Sequence, residues 1–218
     1  MIKISVLFVV SDSKCTICRR VGQKLFLKGE RCFSQKCPMI KRAYPPGRKT
    51  KKRAAGLSEY GRELREKQKL KFCYGLREKQ FKKYIKEILS KKKKREDIEL
   101  LVIKKLESRL DNVVFRLGLA NSRIQARKLI TQKHFLVNGK TVSFPSFEAK
   151  KGDTISVKPK SFNKVIFKNL SATIKKYQPP AWLESDREKL AGKVMREPTV
   201  ADANILVEIP MILEFYSR

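Results

Sequence analysis

The sequence predicts an α+β protein with an N-terminal cysteine knuckle and a mainly helical domain. A helix-turn-helix with a β-hairpin is inserted after these, and a short C-terminal β/helical segment closes the chain. Three observations carry this. Four cysteines crowd into residues 15–37. From 58 to 106, apolar residues recur three and four apart on otherwise charged segments, the period of a helix packed on one face. Asn138-Gly139 then stands between two short β-prone runs, directly after another helical pattern.

Residues 1–14 form an N-terminal extension. Met1 to Val10 (MIKISVLFVV) is a short apolar run followed by SDSK, with no small-residue cleavage site and too few apolar residues to span a membrane. It reads as a buried strand or a misplaced start, not as a secretory leader. Residues 15–47 combine the knuckle with a basic arm, in which Pro45-Pro46-Gly47 and sparse apolar residues predict extended chain. Residues 48–106 are the helical domain. Ser58 caps a helix to about Tyr74, and Gly75 breaks it. A second helix, 76–92, carries Phe81, Tyr84, Ile85, Ile88 and Leu89 on one stripe, and a third starts near Asp97.

Residues 107–170 hold the inserted domain. Leu110, Val113, Val114 and Leu117 end one helix at Gly118, and Asn121 or Ser122 starts the next, with Ala126, Leu129 and Ile130 inward. The hairpin and a strand from Thr154 to Val157 follow. Residues 171–218 are expected to pack back on the helical domain. They contain a helical piece around 184–193 and two β-prone runs, 204–209 and 211–216, placed to pair as a hairpin about Pro210.

Charge narrows the function. The chain of 218 residues has a formal net charge of +31. The excess is +6 over 1–37, +14 over 38–100 and +11 over 101–168, while the last fifty residues are neutral. That excludes a basic tail on a neutral domain. Such an excess repels itself unless a polyanion screens it, and nucleic acid is the obvious polyanion, with an anionic membrane surface as rival.

Cys15, Cys18, Cys32 and Cys37 follow the spacing C-x2-C-x13-C-x4-C. Two close pairs joined by a short loop let four thiolates converge on a tetrahedron, the geometry of a closed structural zinc site. An iron–sulfur cluster on the same four thiolates is the alternative. With all four positions taken by protein, no place remains for a catalytic water. The crowding of an odd total of five cysteines favours metal in a reducing compartment over disulfides. Cys73 stands alone and reads as packing. His134, the only histidine, reads as a helix-end cap or a phosphate contact.

Arg116, Arg123, Arg127 and Lys128 are expected opposite the apolar positions of the helix-turn-helix, and Lys133, Asn138 and Lys140 extend that surface to the hairpin. Between Arg116 and Lys140 there is no Asp or Glu, whereas a merely solvated face mixes signs. This is the signature of phosphate binding. Arg19 and Arg20 beside the knuckle, and Arg48, Lys49, Lys51, Lys52 and Arg53, where the extended arm runs on to about residue 56 before the first helix, add to it. No phosphate-cradling glycine loop, nucleophile elbow or His-Glu-x-x-His is present, so nothing reads as an active site.

Residues 108–157, SRLDNVVFRLGLANSRIQARKLITQKHFLVNGKTVSFPSFEAKKGDTISV, resemble the small RNA-binding domain named after small ribosomal subunit protein four. That domain also occurs in pseudouridine synthases and tyrosyl-tRNA synthetases. The stretches CTICRRVGQKLFLKGERCFSQKCPMIKRAYPPG (15–47), LREKQKLKFCYGLREKQF (64–81), PAWLE (180–184) and EFYSR (214–218) are similar to the bacterial ribosomal protein family itself. The resemblance implies a cytoplasmic, ribosome-bound chain that binds small-subunit ribosomal RNA early and organises a multi-helix junction. It further implies neighbours in small-subunit proteins three and five, a place where messenger RNA enters, and an effect on decoding fidelity. Zinc ligands of metal-bearing members fall on the four cysteines, and RNA-facing positions on Arg109, Arg116, Arg123, Arg127, Lys128 and Lys140. The apolar MIKISVLFVV departs from the short basic opening usual in the family.

Two other readings compete with a ribosomal scaffold. An RNA-modifying enzyme would use the domain for targeting, but the chain lacks room and residues for a catalytic half. A DNA-binding regulator is suggested by helix-turn-helix and metal, and predicts dimers and a preference for duplex DNA.

Overall fold

In the computed structural model, which describes residues 14–47, 56–90, 95–174, 177–186, 189–205 and 207–217, the chain forms two units, Met1–Ala54 and Ala55–Arg218. The basic positions Arg48, Lys49, Lys51, Lys52 and Arg53, and the opening run Met1 to Val10, lie outside the described residues.

The first unit is built of short helices: α1 (Lys14–Val21), α2 (Glu30–Phe33) and α3 (Pro38–Lys41). Gly22, at φ 79°, ends α1 and returns its N–H to the Cys18 carbonyl at 2.8 Å. Pro38 opens α3, where its missing N–H costs nothing. Among the described residues of this unit the buried apolar groups are few: Val21, Leu25 and Leu27, with the side chains of Cys18, Cys32 and Cys37.

The second unit opens with three long helices, α4 (Glu59–Cys73), α5 (Glu78–Leu89) and α6 (Arg95–Glu107). The Ser58 hydroxyl accepts the Gly61 N–H at 3.2 Å, which is the cap the sequence predicts. Phe81, Ile85 and Ile88 form the buried stripe of α5 and meet Leu70, Tyr74, Val102, Ile103 and Leu106 in one core. The helix-turn-helix follows as α7 (Leu110–Arg116) and α8 (Arg123–Thr131), with Ser122 capping α8 through the Gln125 N–H.

Strands β1 (Phe135–Val137) and β2 (Lys140–Thr141) make the hairpin, pairing Val137 with Lys140. Asn138 and Gly139 both take positive φ, 49° and 78°, as a type I′ turn requires. Beyond β3 (Thr154–Val157) and α9 (Val165–Ile174) come β4 (Leu183–Asp186) and β5 (Ala191–Val194). The resulting antiparallel sheet has the order β2-β1-β3-β5-β4. Its apolar face, with Phe135, Ile155, Val157 and Val194, packs with Val113, Leu117, Leu129, Phe167 and Trp182 in a second core.

The C-terminal segment corrects two expectations. Among residues 184–193 none of those described is helical; they supply parts of β4 and β5, and β5 pairs with β3 by Ile155 opposite Gly192. Nor do 204–209 and 211–216 pair as a hairpin. After α10 (Val200–Ala203), residues Ile209–Ser217 form helix α11, with Pro210 tolerated in its first turn. Ile209, Ile212 and Leu213 are buried against the helical core, at spacings of three and four. Their β-prone composition hides a helical period.

Candidate nucleic-acid interface

Two carboxylates organise the helix-turn-helix. Glu107, at the end of α6, is fully buried and accepts from four side-chain donors. These are the Tyr74 hydroxyl (2.5 Å), Asn112 Nδ2 (2.7 Å), Arg116 Nη2 (2.9 Å) and Arg116 Nε (3.1 Å). Arg116 Nη2 also donates to the Ala203 carbonyl at 2.5 Å. Asp111, equally buried, accepts two bonds from Arg109 at 2.7 and 3.0 Å and two from Arg127 at 2.6 and 3.1 Å. Arg127 reaches on to the carbonyls of Gly75 and Tyr74 at 2.6 and 3.1 Å, which ties α8 to the end of α4.

Arg123 donates to Asn112 Oδ1 at 2.8 Å, and its guanidinium lies over the Tyr74 and Phe115 rings at 4.8 and 4.7 Å. Burial pushes the Tyr74 phenol well above its ordinary value, and the Glu107 carboxylate raises it further, so Tyr74 stays a donor. Burial alone would lower the Arg109 and Arg116 guanidinium values. Asp111 and Glu107 respectively outweigh it, and both values rise.

This corrects the expected arrangement of Arg116, Arg123 and Arg127, which Arg109 joins. They do not stand opposite the apolar positions as an open cationic face; they turn inward onto Glu107, Asp111, Asn112 and two aromatic rings. The acid-free window from Arg116 to Lys140 is real, but the partners come from just before it. Glu107 and Asp111 together offset two of these four charges, and withdrawing a guanidinium from either carboxylate would leave a buried acid poorly compensated.

Lys128, Lys133, Asn138 and Lys140 are exposed. Asn138, however, also holds its own turn: Nδ2 donates to Asp153 Oδ1 at 2.8 Å, and Oδ1 accepts the Thr154 N–H at 2.9 Å. Around them the structure adds cations that sequence reasoning passed over, the exposed Lys150, Lys151, Lys160 and Lys164. Their signal was sequence-local charge near β3, without helical spacing to single it out. His134 is buried; its Nδ1 lies 2.9 Å from the Ser161 hydroxyl and its Nε2 3.3 Å from Lys164 Nζ, so the ring is held inside the protein. Cys73 is half-buried, its sulfur 3.7 Å from Arg123 Nη1.

In the first unit, Cys15, Cys18, Cys32 and Cys37 line one small cavity with Leu27, Lys28, Pro38 and Met39. Cys32 Sγ accepts the Lys28 N–H at 3.3 Å. Burial pushes the Cys18 thiol up, a backbone hydrogen bond from Leu25 opposes this, and the three other cysteines raise it again. All four are free thiols. As they stand, among the described residues no three His, Cys, Asp or Glu side chains form a metal-holding group. The donor set nonetheless fits a closed tetrathiolate site in chemistry. Arg19 is half-buried and Arg20 exposed on α1.

Among the described residues no helix is long and apolar enough to cross a membrane. A helix-turn-helix locked from within, followed by a small antiparallel sheet and an exposed lysine surface, is the build of a nucleic-acid-binding structural protein. Residues 10–107 match the family model for the ribosomal protein S4/S9 N-terminal domain, and 108–155 match the S4 domain. Small ribosomal subunit protein uS4 of Caldicellulosiruptor saccharolyticus is 48% identical over 204 residues, covering 94% of this chain and 96% of that protein. Its counterparts in Caldicellulosiruptor bescii and Halothermothrix orenii are each 47% identical, with the same coverage. The chain belongs to the uS4 family of small ribosomal subunit proteins. Its role is structural, within the ribosome, and not enzymatic.

Proposed function

We propose that the chain is a primary binder of small-subunit ribosomal RNA that nucleates assembly of the subunit body in the cytoplasm. The observation that carries this is charge disposition. The arginines of the helix-turn-helix are engaged within the fold by Glu107, Asp111 and Asn112, yet the net charge is +31 and exposed lysines surround the hairpin. Arg19 and Arg20, the arm from Arg48 to Arg53, and Lys128, Lys133 and Lys140 contact phosphates, while Asn138 shapes the hairpin that presents Lys140. A-form RNA hides its base edges in a deep groove, so recognition rests on shape, phosphates and 2′-hydroxyls. Sedimentation of cell lysate tests the reading. Co-migration with small subunits at moderate salt supports it; a chain that stays at the top of the gradient refutes it.

Within that reading, small-subunit proteins three and five are neighbours, messenger RNA passes close by, and the chain contributes to decoding fidelity. Family membership supports this placement. Crosslinking within purified small subunits tests it, since a chain that links to neither protein would not occupy the place.

Cys15, Cys18, Cys32 and Cys37 hold zinc in this reading. Their shared cavity and the N–H directed at Cys32 Sγ support it. The ion would supply cross-links among α1, α2 and α3, worth about 10 kcal/mol or more by comparison with zinc-finger peptides. Elemental analysis of the purified protein decides: one zinc per chain is expected, iron with sulfide would indicate the cluster instead, and neither would end the metal reading.

A further inference from the structure

Beside the cysteine cavity, the first unit holds a second, larger concavity of about 450 Å³. Its walls carry five cations, Arg19 from α1, Arg31 from α2, Lys36 from the following loop, and Lys41 and Arg42 at the end of α3. No carboxylate lines it among the described residues. Among the described residues, the side chains of Arg31, Lys36, Lys41 and Arg42 form no ion pair. That is the opposite of the helix-turn-helix, where each arginine has its acceptor. Arg19 is held in place: Nε donates to the Tyr44 carbonyl at 2.9 Å and the guanidinium lies 5.0 Å from the Tyr44 ring centroid. One cation is thus preorganised at the wall, and the other four face the same space.

Like charges gathered in a concavity repel one another, and protein walls of low dielectric concentrate their field. Arg31, Lys36, Lys41 and Arg42 are exposed, so water and salt screen part of this repulsion; an anion inside relieves the rest, and five positive charges can hold more than one phosphate. Arginine and lysine together, with the Thr16 side chain also in the lining, suit oxygen-rich tetrahedral anions. The volume is that of a ligand pocket, not of a groove that tracks one extended strand.

We infer that this pocket binds a cluster of two or three phosphate groups held close together. Such a cluster occurs at a sharp bend of an RNA backbone and in a free polyphosphate. Where the phosphates belong to RNA, the inference rests on the RNA-binding reading above.

The test is calorimetric titration of the full chain with inorganic tripolyphosphate, beside binding of small-subunit ribosomal RNA. Tripolyphosphate is expected to bind at one saturable site. Arg31→Gln with Lys41→Gln should weaken it at least tenfold, with folding checked by circular dichroism. Lys82→Gln with Lys83→Gln on α5, the same loss of charge elsewhere, should change it less than twofold. If the pocket variant also weakens RNA and tripolyphosphate competes with RNA, the bend is the source. If RNA binding is unchanged, a free polyphosphate is the ligand. Either result supports the pocket. Absence of saturable tripolyphosphate binding, or equal loss in both double variants, overturns it. A wild-type chain that takes tripolyphosphate but ignores ribosomal RNA would sink the RNA reading and leave the pocket standing.

Discussion

Arg116 grips the buried carboxylate of Glu107 with two hydrogen bonds, at 2.9 and 3.1 Å, across the junction of α6 and α7. The same carboxylate takes the Tyr74 hydroxyl from the end of α4, so one acidic side chain joins three helices. Removing one member of such a set strands the others without water to replace it. Glu107→Gln is therefore expected to destabilise the chain by about 3–5 kcal/mol in urea unfolding. A loss under about 1 kcal/mol would show that the hub contributes little.

The inward arginines and outward lysines predict different salt behaviour. Lys128→Gln and Lys140→Gln should each lower the slope of log affinity for ribosomal RNA against log salt by about 0.7–0.9. Arg109→Gln should leave that slope unchanged in the folded protein while costing stability, because Arg109 already answers Asp111. A slope that falls equally for Arg109 and Lys128 would contradict the geometry.

His134 makes stability depend on pH. Burial lowers its proton affinity, and Lys164 and Lys158 lower it further, below the ordinary 6.5. Between the depressed value and 6.5 the unfolded chain binds more protons, so stability rises with pH. The contribution is complete above about 6.5 and is lost as pH falls through that window. Melting temperatures of wild type and His134→Gln, measured from pH 7.5 downward, should differ in slope there; parallel curves would count against the buried neutral ring.

Close packing at Gly192 predicts a fourth effect. A Cβ built there would meet Leu117 Cδ2 at 2.3 Å and the Glu184 carbonyl at 2.9 Å. Gly192→Ala should lose about 1–3 kcal/mol through overpacking. Gly139→Ala, with open space around it but φ at 78°, would lose stability through backbone strain alone. Denaturant midpoints of the two variants check both, and a Gly192→Ala protein as stable as wild type would contradict the contact.

Much of the fold was legible because its signals are local. Ser58 and Ser122 announce helix starts, the stripe from Phe81 to Ile88 repeats at helical spacing, and Asn138-Gly139 specifies its own turn. Strands β4 and β5 were not legible. LESD and AGKV alternate weakly, and β5 finds its partner in β3, about forty residues earlier in the chain. The C-terminal helix misled for another reason. Its apolar residues satisfy β propensity as well as helical period, and packing on the helical core chooses between them.

The candidate site divides along the same line. Net charge, the cysteine spacing and the order of the helix-turn-helix and hairpin are properties of neighbouring residues, so the linear chain was enough to state them. Where each arginine points is a property of what lies across from it in space. Glu107 and Asp111 precede the acid-free stretch, and only folding carries them onto Arg116 and Arg127. Coulomb attraction acts through distance in three dimensions, and no count of charges along a chain contains that distance.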